Sequence, residues 1–257
     1  TSTLRVGCRV FCNDYRHPIT LIKEAATLDY LSEGRYEFGL GAGWIKNEYK
    51  AVDLAFDEFP ERFSRFTETV EAYKAFMSGE PMEIDGESLR WSGFHGTPSP
   101  AQRPHPPIMI GGGSKKILTY AGQHADIVTL NFNNRSGTIG ADGMGSGMAE
   151  ATARKIKWIK DGAGDRFTDI EIEIGAYTTI LTDQPEATAG AIGEALGMSA
   201  DDIMQHPHCL IGSVDFICDE LVRRREQYGI SYVAVMDDGS NNMVEAFAPV
   251  VARMSGK

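Results

Sequence analysis

Short apolar runs alternating with longer stretches of helical spacing constrain this chain more than any other feature. Leu4 to Phe11 reads as a buried strand, and Pro18 then opens a helix whose Ile19, Ile22, Ala26 and Leu28 to Leu31 recur at helical intervals. Tyr36 to Gly41 is a second strand, followed by Phe63, Phe66, Val70, Tyr73, Phe76 and Met77 striping a helix that ends near Gly79. Ile108 to Ile110, Ile127 to Leu130, Ile170 to Leu181 and Ser231 to Met236 continue the series. Between and after them, helices are expected from Ser114, from about Ala149 to Lys160, from Pro185, from Ser213 to Tyr228 and at the end of the chain. Six strands, each followed by helix, mean a parallel sheet, either open and doubly wound or closed into a barrel. Pattern alone leaves both open.

Two segments break the alternation. Six of the eleven prolines lie between Pro81 and Pro107 with Gly86, Gly93 and Gly96, so this is a long excursion, with a short hairpin expected around Leu89 to Trp91. Asn131 to Gly147 holds five glycines and three asparagines, the composition of a mobile loop of the kind that covers active sites.

At 257 residues, 42% of them hydrophobic, the chain can bury one large core, and a single domain over residues 1–257 is expected. A formal charge of −11 weighs against nucleic acid or an anionic membrane surface as partner and leaves a small molecule as the expected one. Apolar runs fall far short of the roughly 20 residues that cross a bilayer. The opening Thr1-Ser2-Thr3 shows no basic-then-apolar leader, so a cytoplasmic location is expected. Cys8, Cys12, Cys209 and Cys218 form no CxxC pair and read as reduced core residues.

Two glycine runs stand out. Gly39, Gly41 and Gly43 alternate through the end of a strand and leave one face bare, either for a flat ligand or for tight packing against a neighbouring element. They do not make the dinucleotide fingerprint GxGxxG, because the third glycine comes one residue early. Gly111, Gly112, Gly113 and Ser114 join a strand to a helix, where bare backbone and helical N–H groups suit a phosphate. Lys115 and Lys116 follow in the first turn, a place that disfavours cations unless an anion is present. His17, His95, His105, His124, His206 and His208 have no zinc-site spacing, so no metal is expected, and His17 before Pro18 is either a helix cap or an acid–base group. No GxSxG nucleophile signature occurs.

Several of these stretches together resemble the luciferase-like flavin and deazaflavin oxidoreductases. They are Arg16-His17-Pro18, Leu28-Asp29 to Ser32, Gly34-Arg35, Gly39-Leu40-Gly41-Ala42-Gly43-Trp44, Asn47-Glu48-Tyr49, Glu61-Arg62-Phe63 with Glu68, Pro106 to Gly112 and Ala125-Asp126. Residues Ile211 to Ser213 and Arg224 to Tyr232 look like the branch that depends on the deazaflavin coenzyme F420. The resemblance implies a (β/α)8 TIM barrel with its cofactor at the C-terminal ends of the strands. Members of the family carry two further strand–helix units before the strand at Leu4, so the first two units would be lacking here. Either an amino-terminal segment precedes this chain in the native protein, which is the expectation, or a partner chain covers the open edge.

Carried over by position, the resemblance puts the cofactor ring against Arg9 and Val10, where relatives often have a non-proline cis peptide. It puts Asn47 at the ring, Gly111 to Ser114 at the phosphate, and Asn131 at a strand end near that phosphate. Trp44 faces the ring at a position that is catalytic in some relatives; tryptophan cannot serve as a carboxylic acid, so stacking and shielding are its expected role. The implied activity is hydride transfer between coenzyme F420 and a small organic substrate, with His17 or water as proton donor and Arg135 available to an anionic tail. An FMN-dependent monooxygenase using oxygen, a non-catalytic flavin-binding protein and a phosphate-binding barrel without redox chemistry are the alternatives. Relatives commonly form homodimers.

Overall fold

The computed structural model describes residues 1–138, 141–237 and 242–255. They fall into two units. The first holds Thr1–Gly111, His124–Ile127 and Arg135–Thr138; the second holds Gly112–Gln123, Val128–Asn134 and the described residues after position 138.

Along the chain the first unit runs β1 (Val6–Gly7), β2 (Phe11–Cys12), α1 (Pro18–Leu31), β3 (Tyr36–Gly41), α2 (Lys46–Ala51) and α3 (Phe59–Ser78). The hairpin β4 (Met82–Asp85) and β5 (Arg90–Phe94) and then β6 (Ile108–Gly112), except for its last residue, follow. β1, β2 and β6 each pair with β3 in parallel, so β3 is flanked on both sides and all six of its residues are buried. The aromatic stripe of α3 packs beneath it, with Phe38 and Tyr73 stacked at 4.2 Å and the Tyr73 hydroxyl donating to Pro106 O at 3.0 Å. Burying side chains such as Phe66 and Phe76 contributes about 2 kcal/mol each. Gly79 ends α3 at φ 81°, a conformation glycine adopts without steric cost.

Several family-like residues prove to be props of this unit. Asp29 is buried on α1 and accepts from Gln102 N at 3.0 Å and Gln102 Nε2 at 2.7 Å. Glu68 on α3 accepts the backbone N–H groups of Glu87, Ser88 and Leu89, tying down the tip of the expected hairpin.

The second unit contains α4 (Lys115–His124) except for its last residue, β7 (Ile127–Leu130) except for its first, α5 (Ala141–Gly145), α6 (Ala149–Ala163) and β8 (Glu171–Ala176). It continues through β9 (Thr178–Leu181), α7 (Pro185–Leu196), α8 (Ala200–Gln205), β10 (Cys209–Gly212), α9 (Val214–Tyr228), β11 (Ile230–Val235) and α10 (Met243–Met254). β8 lies between β7 and β11 in the strand order, while β9 pairs with β10 in a separate parallel pair. Arg224 is 1% exposed on α9 and donates to the carbonyls of His206, Pro207 and Cys209 and to Glu220, pinning the segment that enters β10.

Three expectations need correction. Residues 4–11 are not a buried strand: β1 and β2 are two residues each, and Leu4 and Val6 are exposed because β1 stands at the end of its strand order. The Arg9–Val10 peptide, between the two pieces, is cis. Residues 170–181 form two strands rather than one, β8 and β9 pairing with different partners on either side of Tyr177. The glycine-rich stretch 131–147 is not all loop, because α5 forms within it and Ser146 Oγ caps its end on Gly143 O at 2.6 Å. Residues 139 and 140 of that stretch lie outside the described residues. Of the cysteines, Cys209 and Cys218 are buried, whereas Cys8 and Cys12 are only half-buried; all four are free thiols.

Candidate functional site

In the first unit, the bare face of Gly39, Gly41 and Gly43 is covered by the chain itself. A Cβ on Gly39 would lie 1.8 Å from Cys8 O, one on Gly41 would lie 2.9 Å from Val10 Cγ2, and one on Gly43 would lie 1.9 Å from the Tyr49 hydroxyl. Packing against a neighbouring segment therefore explains all three glycines, and Gly43 additionally sits at φ 74°. The glycines let residues 8–12 and Tyr49 close on β3.

Around that contact runs a polar network in which Asp14, Asp57 and Arg65 carry no sequence signal of their own. Tyr49 Oη donates to Asp14 Oδ2 at 2.9 Å and touches Cys12 Sγ at 3.2 Å. Arg65 grips both Asp14 oxygens at 3.1 and 3.0 Å and reaches Asp57 at 2.7 Å. Burial first, and then the Cys12 contact and the Asp14 charge, push the Tyr49 phenol far up, so it stays a donor. Burial likewise raises the Cys12 thiol. Arg62, buried on α3, donates to Asp57 O and Ala42 O at 3.0 Å each and to Gly43 O, fixing the backbone that presents Trp44.

Trp44 is 40% exposed, Asn47 is exposed, and Arg9 and Val10 are half-buried. His17 is the N-cap of α1: its Nδ1 accepts from Ile19 N at 3.4 Å, so a proton on the neutral ring sits at Nε2. It also lines a cavity of about 300 Å³ with Asn13, Asp14, Arg16, Asp57 and Arg65. Arg135 is exposed. Among the described residues no cluster of His, Cys, Asp or Glu could hold a metal, and no helix is long and apolar enough to cross a membrane.

In the second unit, Ser114 stands before α4 and its Oγ accepts weakly from Ile117 N at 3.5 Å. The turn is pressed onto the residues that follow β7. Asn131 N donates to Gly112 O at 3.0 Å, and a Cβ on Gly113 would lie 2.4 Å from Phe132 O and 2.6 Å from Asn131 O. A Cβ on Gly112 would lie 2.2 Å from Ile117 Cγ2. Neither position admits a side chain, because each missing Cβ is met by the chain itself, which lets the turn close on α4 and on the residues after β7.

Asn131 is itself held on several sides. Its Oδ1 accepts from Tyr177 Oη, and its carbonyl accepts from Lys155 Nζ at 2.6 Å. Tyr177 stacks on His208 at 5.3 Å, with Phe132 and His206 completing an aromatic cluster. His208 N donates to His206 Nδ1 at 3.1 Å, which places the His206 proton on Nε2, facing Met144 O at 3.3 Å. Burial lowers the His206 pKa, so this ring is neutral. Burial, followed by the charge of Arg154, brings the Lys155 ammonium down to about 8. Spacing along the sequence could reveal neither Lys155 nor the paired histidines, because Asn131, Lys155, Tyr177 and His206 come from separate elements. A lysine amid the apolar positions Ala151, Ile156 and Ile159 of α6 is the one local hint.

A turn of bare backbone at a helix start, with a buried cation behind it, fits an anionic group. The family model described as luciferase-like monooxygenase matches residues 1–250. Over 120 residues the chain is 31% identical to an FMNH(2)-dependent dimethylsulfone monooxygenase of Pseudomonas putida, a match covering 47% of this chain and 33% of that protein. Over 127 residues it is 33% identical to an F420-dependent hydroxymycolic acid dehydrogenase of Mycobacterium tuberculosis, covering 49% and 34% respectively. The chain thus spans about a third of the length of these two relatives. The coenzyme F420 dependent tetrahydromethanopterin reductase of Methanopyrus kandleri superposes with a TM-score of 0.75 over 99% of this chain and 83% of that one, at 20% identity. That likeness is one of fold, and the alternating strands and helices make a partial (β/α) barrel. With the model match running through nearly the whole sequence, the chain belongs to the luciferase-like monooxygenase family, which includes both F420-dependent and FMNH(2)-dependent oxidoreductases.

Proposed function

We propose that the chain binds a phosphate-bearing, flavin-type cofactor and carries out two-electron redox chemistry on a small organic substrate, with coenzyme F420 as the hydride partner. The observation that carries this reading is the bare turn of residues 111–114 at the start of α4, in a chain of this family. When bound, such a cofactor supplies a ring that gives or accepts a hydride.

The residues of the chain bind, orient and shield. Gly111, Gly112 and Gly113 offer backbone to the anion, with the Cβ positions of Gly112 and Gly113 turned into the chain, Ser114 holds the first turn of α4, and Asn131 braces the turn from the end of β7. Lys115 and Lys116 are exposed in that first turn, where an anion would offset their conflict with the macrodipole. Arg9 and Val10 offer the surface for the ring, Asn47 a contact to it, and Trp44 a wall that excludes water. His17 is the candidate proton donor at Nε2 in its imidazolium form, which gives up the Nδ1 cap bond because both ring nitrogens are then donors. The unit of function is a single barrel domain acting in the cytoplasm, with a second copy of the chain as partner.

FMN-dependent monooxygenation is the second reading, supported by the 31% identity to the dimethylsulfone monooxygenase. Parallel titration with F420 and FMN, followed by ligand fluorescence, separates the two. Gly112→Asp would be ambiguous, since any Cβ there meets Ile117; Ser114→Asp brings a negative charge to the turn while preserving an N-cap side chain. Tight F420 binding weakened at least about tenfold in Ser114→Asp is the expected result, as like charge at the anion costs about 1.4 kcal/mol or more. Preference for FMN moves the assignment to monooxygenation. Binding without substrate-dependent reoxidation makes this a non-catalytic flavin-binding protein, and binding of neither cofactor overturns the redox reading.

A further inference from the structure

Two buried cations of the second unit are treated very differently. Arg224, 1% exposed, is matched by three carbonyls and a carboxylate. Lys155, 2% exposed, makes one hydrogen bond among the described residues, to Asn131 O. An ammonium has three donors, and burying it on a single neutral acceptor leaves its charge uncompensated. The oxygen it holds is one of the two carbonyl oxygens against which Gly113 packs, 2.6 Å from where a Cβ would stand. The cation therefore sits one carbonyl oxygen behind the 111–114 turn.

We propose that Lys155 is the built-in counter-charge of this turn: a positioning residue that fixes Asn131 against Gly113 and whose positive field favours a phosphate-bearing ligand over its neutral counterpart. This rests on the reading that the turn takes a phosphate. In the absence of ligand the lysine is costly to keep charged, and an anion at the turn supplies the missing compensation. The groups its charge meets are Arg154 on its own helix, His206 in the segment after α8, and Asn131 with the Tyr177 hydroxyl bonded to it. Since its ammonium is brought down to about 8, the site loses its cation as pH rises through that value, and phosphate binding above it must take up a proton.

FMN and riboflavin share a ring and differ by the phosphate, so their affinity ratio isolates the anion's share. The full chain, Lys155→Met and Lys155→Arg are titrated with both at about pH 7 and about pH 9.5, on either side of the lysine's titration. The wild-type chain is expected to prefer FMN by about tenfold or more at the lower pH, with the preference shrinking at the higher one. Lys155→Met loses the preference at both pH values with riboflavin affinity unchanged, and Lys155→Arg, which stays charged, keeps it at both. A Lys155→Met protein that retains the preference and its pH dependence overturns the proposal. Should F420, FMN and riboflavin all fail to bind the wild-type chain, the flavin reading fails, and inorganic phosphate then decides the role of Lys155. A rise in melting temperature with phosphate in wild type but not in Lys155→Met supports that role; equal rises, or none in either protein, refute it.

Discussion

The two glycine runs look alike along the sequence and differ in what stands behind them. At Gly39, Gly41 and Gly43 the missing side chains make room for Cys8 O, Val10 and Tyr49, and the contact is backed by the Tyr49–Asp14–Arg65 network, in which Arg65 and Asp14 neutralise each other. At Gly112 and Gly113 the backbone is pressed just as closely on Ile117 and the Asn131–Phe132 carbonyls, but the group behind is an uncompensated ammonium. Glycine reports that something approaches the backbone. At both runs that something is the chain itself, and on the proposed reading it is the uncompensated charge at the second that calls for a group from outside.

The sharpest way to break this contrast is to fill the first run. In Gly39→Ala the new methyl would overlap the Cys8 carbonyl, a backbone atom that cannot swing away, so a loss of about 3 kcal/mol or more is expected in urea unfolding. A cost below about 1 kcal/mol would mean residues 8–10 move freely, and the first run would again be open to a ligand.

The second run is tested through its cation with no ligand present. A folded-state pKa near 8 lies below the unfolded lysine value, so the unfolded chain binds more protons in between. Native stability should therefore rise as pH climbs from about 8 towards 10, by up to about 3 kcal/mol. Lys155→Met removes that rise and is more stable than wild type near neutral pH, with the gap closing at high pH. Chemical denaturation across that range checks it; a Lys155→Met protein less stable at neutral pH would show the ammonium to be satisfied already.

A smaller effect belongs to Asp14. Asp14→Asn leaves Arg65 facing only Asp57 and weakens the acceptor for Tyr49, which should cost about 1–2 kcal/mol, since hydrogen bonds to charged partners are the stronger kind. Comparing that cost with and without bound FMN sharpens the contrast: a purely structural network gives the same loss in both states.

What could be read beforehand follows from the range of the forces involved. The periodicity of α1, α3, α6 and α9 and the turn at 111–114 are local, so the sequence displays them. β10 escapes, although its four residues Cys209–Gly212 match β7 in length and are as fully buried. The break at Tyr177 escapes for another reason: Thr178–Leu181 keeps a strand's composition and merely changes partner. At the candidate sites, Gly111 to Ser114 and His17 were legible as chain features. Arg62 stood out only as part of the family-like Glu61-Arg62-Phe63, and Arg65 and Lys155 not at all, since each gains its meaning from a carbonyl or carboxylate many residues away.

The smallest expected effect tests the residue on which the two regions' roles would otherwise be confused. His17 caps α1 through a long 3.4 Å bond and is exposed, so His17→Ala should cost only about 0.5 kcal/mol of stability. As a cap it is replaceable, and His17→Asn, which offers another side-chain acceptor, should restore that stability without restoring a titratable proton. The pair of variants therefore separates two jobs carried by one ring. If turnover with F420 falls in both His17→Ala and His17→Asn, proton donation by the imidazolium form matters; if His17→Asn turns over like wild type, the imidazole serves only the helix and water delivers the proton.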